Sequence, residues 1–97
     1  MNDITRGDPN FFVRSNAHID LSNAQVLEPS NGGRIGGVAE SMIYAAARFT
    51  AYLIQKSCTT RDEMATNLAA NSWRFTELFR ECLETNMREN IERFDEK

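Results

Sequence analysis

The sequence predicts an all-α protein of three helices in antiparallel, up-down-up order, and three observations carry that expectation. The most apolar stretch, from Val38 to Ile54, mixes alanines with large residues at helical spacing. Ahead of it, Pro29 and four glycines between Gly32 and Gly37 break the chain. From Thr60 to Lys97 there is neither proline nor glycine, and no strand-like alternation of useful length occurs.

Residues 1–8 are polar and are expected to form a frayed tail. A first helix is expected over 9–27, with the Asp8 carboxylate accepting from the orphan amides and Pro9 at the first helical position. Phe12, Ile19 and Val26 recur at seven-residue intervals, but Asn or Ser residues share the face, so this helix needs a partner. A second helix is expected over 37–56, with Val38, Met42, Ala45, Phe49 and Tyr52 or Leu53 facing inward. Its remaining alanines admit neighbours on more than one side.

Thr60-Arg61-Asp62-Glu63 matches the capping box and starts a third helix expected over 61–93. Uninterrupted, that helix is about 50 Å long against about 30 Å for the second. Either it bends near Ala70-Asn71-Ser72, or its C-terminal half overhangs and packs on another subunit. The apolar positions of that half include Phe75, Phe79, Leu83, Met87, Ile91 and Phe94, and a patch of that size marks an interface. Its other face carries Arg80/Glu84, Glu84/Arg88, Arg88/Glu92 and Glu89/Arg93 at four-residue spacing, the pattern of a solvated face.

Composition narrows the function classes. Ninety-seven residues make one small domain, and a chain this short gains from associating with a copy of itself. The net charge is −3, and the acidic excess lies wholly in residues 61–97, so no basic field exists to hold a nucleic acid. No segment is apolar enough for a membrane span or a signal peptide, and a cytoplasmic location is expected. Cys58 and Cys82 form neither a disulfide framework nor a metal site, and both read as reduced thiols. No cofactor motif is present: the glycine loop at 32–37 lacks the Lys-Ser/Thr ending of a phosphate loop.

Two groups of side chains remain as candidates. Arg48 interrupts the most apolar helix, with Tyr44 and Tyr52 four residues to either side. Buried there, a guanidinium needs a carboxylate, from Asp20 or the third helix; otherwise Arg48, Tyr44, Tyr52 and the sole histidine, His18, line a small polar pocket. His18 and Asp20 point about 200° apart on a helix, so they cannot chelate together. His18 alone reads as a surface or packing residue. Trp73 is a further candidate for an interface anchor.

Several strings resemble a family of short, mostly proteobacterial proteins known only as a domain of unknown function. They are Phe11-Phe12, Ile19-Asp20-Leu21, Tyr44-Ala45-Ala46-Ala47-Arg48-Phe49, Leu83-Glu84-x-Asn86 and Asn90-Ile91-x-x-Phe94-Asp95. The resemblance spans about residues 11–95 and implies a bacterial origin, but no activity, cofactor or site residue. The chain departs from it at Ser30–Gly37, which is longer or richer in glycine, so no role for that loop carries over.

The expectation drawn from the residues is a non-enzymatic helical interaction module that forms a homo-oligomer, a dimer before others, through the third helix. A pocket around Arg48 for a small ligand, in a binding protein or a minor enzyme, is the alternative. A different protein partner is compatible with the acidic third helix but has no motif behind it.

Overall fold

A computed structural model describes residues 7–96, and residues 1–6 of the tail expected over 1–8 lie outside them. The described chain is all-α. It holds four helices, α1 (Phe11–Leu27), α2 (Ile35–Ser57), α3 (Arg61–Thr66) and α4 (Leu68–Glu92), with 3-10 turns at Pro29–Asn31 and Phe94–Glu96. These divide into two compact units, one holding α1 and α2, the other α3 and α4.

In the first unit α1 starts two residues later than the sequence predicts. The Asp8 backbone carbonyl, not its carboxylate, accepts the Phe11 amide at 3.1 Å. The carboxylate instead pairs with the Arg14 guanidinium. A charged partner outcompetes a neutral amide for an exposed carboxylate. This hydrogen bond to Arg14 also holds the Asp8 carboxyl below its ordinary range.

After Leu27 the chain reverses tightly. The Asn31 side-chain amide donates to the Gln25 carbonyl at 2.6 Å, satisfying one of the open acceptors at the end of α1. Gly32 and Gly33 follow at φ 55° and 74°, backbone that side-chain-bearing residues rarely adopt. α2 begins at Ile35 rather than Gly37, so Gly36, expected in the loop, is already helical.

α1 and α2 meet near this connection, where the Ser22 hydroxyl lies 3.5 Å from the Met42 sulfur. Val38, 8% exposed, is the only buried residue among those described. The other inner positions expected for α2, namely Met42, Ala45, Phe49 and Tyr52 or Leu53, are all exposed. On α1 the half-buried face is Phe11, Ser15, Ser22 and Val26, so its polar residues occupy contact positions while Phe12 and Ile19 face outward.

The second unit opens with the capping box. The Thr60 hydroxyl accepts the Glu63 amide at 3.1 Å, while the Glu63 carboxylate accepts from Thr59, one residue before the amide expected, at 2.8 Å. The predicted third helix is not continuous over 61–93. It divides at Asn67, where φ −94° and ψ 6° leave the helical region, three residues before the expected bend. The Asn67 amide still reaches the Glu63 carbonyl at 3.2 Å, and the Asn71 amide bonds the Asn67 carbonyl at 3.0 Å, so helix resumes at once. The Asn67 side chain makes no capping hydrogen bond, so the division is not the side-chain competition anticipated at Asn71 and Ser72.

α4 has 25 residues and α2 has 23, so the two are nearly equal in length. Any case for association must rest on the surface of α4 itself. Replacing the cap by Thr60→Ala should lower stability by about 1 kcal/mol, read by chemical denaturation.

Candidate functional site

The polar candidate on α2 is assembled only in part. Arg48 Nη1 lies 3.4 Å from the Tyr44 hydroxyl, four residues earlier on the same helix. Tyr52 faces away to a different cation, Lys56, whose Nζ sits 5.4 Å from the ring centroid. Among the described residues no hydrogen bond or ion pair links the His18 side chain to these three, and its backbone carbonyl accepts from the Ser22 hydroxyl at 3.1 Å.

Arg48 forms no ion pair among the described residues, neither with Asp20 nor with an acid of the C-terminal helices. The reason is exposure. An arginine in water is solvated without a carboxylate, so the structural pair expected for a buried guanidinium is not required. Arg48→Met should therefore change stability by no more than about 0.5 kcal/mol, measured by thermal melting.

The described residues hold no group of three or more His, Cys, Asp or Glu side chains placed to hold a metal ion. Cys58 and Cys82 are free thiols, both half-buried. No described helix is long and apolar enough to cross a membrane.

The surface of α4 is more distinctive. Phe79, Leu83, Met87 and Ile91, at four-residue steps, are 52%, 47%, 51% and 69% exposed, with Phe94 beyond them at 59%. Phe75, predicted with this group, is half-buried instead. It belongs to a neighbouring half-covered face with Asn71, Leu78, Cys82 and Thr85, and the Arg74 guanidinium stacks on its ring at 4.5 Å. α4 thus has two adjacent apolar faces where apolar spacing predicts one broad stripe. Trp73 is exposed and lines a shallow depression with Arg74, Phe75, Glu77, Leu78 and Glu81.

Charges border the exposed stripe on one flank. Arg80 bridges Glu77 at 2.6 Å and Glu84 at 3.0 Å, and Arg88 reaches Glu84 at 3.5 Å. The anticipated Arg88–Glu92 and Glu89–Arg93 pairs are not formed among the described residues. The hydrogen bond from Arg80 holds the Glu77 carboxyl below its ordinary value, and its charge adds to the effect. A depressed carboxyl keeps its pair intact above the unfolded value and loses it as pH falls through the folded one. Titration followed by carbon-detected NMR should place the Glu77 carboxyl below the ordinary glutamate range, and Arg80→Met should raise it.

With this geometry in place, the comparisons with known proteins add a family. The sequence model of the family described as "Protein of unknown function (DUF3144)" matches residues 11–91. The chain belongs to that family, as its resemblance to a domain of unknown function implied. No curated protein and no solved structure matches it.

Proposed function

From membership of a family without a described function, we propose that this chain is a non-enzymatic helical module that associates with copies of itself through the C-terminal half of α4. The observation that carries the reading is the exposure of Phe79, Leu83, Met87 and Ile91 in one uninterrupted line. Covering a large apolar side chain is worth about 1.5–3 kcal/mol, and a dimer covers each of the four twice. A contiguous face of this kind on a small protein marks an interaction site.

Further support comes from within the units. One holds only Val38 as a buried residue and the other holds none among those described. Small domains that lack a core gain stability by association. A dimer is the assembly favoured here, in a bacterial cytoplasm, with an up-down-up packing of the helices completing its core. The chemistry of the side chains favours binding over catalysis, because Arg48 and Tyr44 meet in the open and His18 has no orienting partner among the described residues.

Sedimentation equilibrium is the direct test. The protein should sediment as a dimer at micromolar concentration, and Met87→Glu or Ile91→Glu should yield a folded monomer with unchanged helical circular dichroism. A wild-type monomer at that concentration, or charged variants with undiminished mass, would remove the reading.

A further inference from the structure

We propose, building on self-association through α4, that two copies pair antiparallel about a two-fold axis midway between Leu83 and Met87, with Glu84 of each copy facing Arg88 of the other. The occupant of the exposed stripe is thus a second α4, and the surface recognises itself by charge as well as by apolar contact.

The pattern on α4 is the ground for this. Phe79, Leu83, Met87 and Ile91 are each followed by a charged residue, Arg80, Glu84, Arg88 and Glu92, so the bordering flank alternates in sign. The opposite border, Leu78, Cys82, Asn86 and Asn90, carries no charge. In an antiparallel helix pair each flank faces the same flank of its partner; in a parallel pair it faces the other one. Reversal about the midpoint sets Leu83 against Met87 and Phe79 against Ile91. It also leaves Glu84 of one copy and Arg88 of the other about 3 Å apart along the axis, and since helical side chains lean toward their own N-terminus the two opposite charges converge, twice by symmetry. A parallel pair in register sets the charged flank against the uncharged one and gains nothing from it.

The side chains are placed for such an exchange. Glu84 already lies between two guanidiniums, with Arg80 at 3.0 Å and Arg88 at 3.5 Å. Arg88 has the longer and weaker contact, and its side chain is 72% exposed, so it can turn toward a carboxylate across the axis. Charges at the rim of an interface set orientation and partner choice more than affinity.

Mixing two charge variants tests the contact. Glu84→Arg and Arg88→Glu should each weaken the dimer about tenfold, because like charges then face each other in both symmetric places. An equimolar mixture should recover association to near the wild-type level, since every arginine in the mixed pair faces a glutamate. Mixing cannot restore the ion pair that each substitution breaks inside its own helix, so recovery reports on the pairing between copies. Orientation is read separately by electron spin resonance, on chains carrying Cys58→Ser and Cys82→Ser with one label at position 86 or at position 93. The antiparallel pair puts the labels close together at 86 and offset by roughly 24 Å along the axis at 93; a parallel pair gives similar short distances at both. A monomeric wild type overturns the self-association reading itself. A dimer that shows no recovery on mixing, or equal distances at the two label sites, overturns the antiparallel geometry and leaves self-association standing.

Discussion

Apolar burial is the constraint on which this molecule depends, and each unit taken by itself achieves very little of it. In the α1–α2 unit the contact is concentrated beside the connection, where Val38 is enclosed and Ser22 touches Met42. In the α3–α4 unit even the best-covered face, from Asn71 to Thr85, is only half-buried. Local closure is supplied by the Thr60 side chain at the start of α3 and by backbone bonds to Gln25 and Gln55 at the ends of α1 and α2. A chain with sound local structure and an uncovered apolar surface is suited to completing its core against a partner.

The local devices are what make the elements definite. The Thr60 cap starts α3, Gly32 and Gly33 turn the chain after α1, and the Asn31 side chain closes the end of that helix. Each acts over a few residues and needs nothing distant. That locality is why the helical class, the break at 28–34 and the start at Arg61 are all legible in residue order.

Legibility ends where a local rule meets a competitor. Asp8 is a sound cap by type, yet Arg14 takes its carboxylate. Gly36 looks like a loop residue but tolerates helix once Gly32 and Gly33 have made the turn. Apolar neighbours in sequence predict a buried Arg48, whereas burial depends on what packs over the helix. The stripe on α4 is legible in outline, with Phe79, Leu83, Met87 and Ile91 exposed as a set, but Phe75 falls on the adjoining face. The two faces centre roughly 140 degrees apart on the helix, and because both carry large residues they merge into one broad apolar arc when read by spacing.

The separation of α3 from α4 at Asn67 has a consequence for how the protein opens. A six-residue helix is far too short to persist on its own, since nucleation alone costs more than its few bonds return. α3 therefore owes its order to the Thr60–Glu63 cap at one end and the continuing chain at the other. Its amides belong to a small cooperative unit that exchanges with solvent well before those of α4. Within its unit this short helix is thus the first part to loosen.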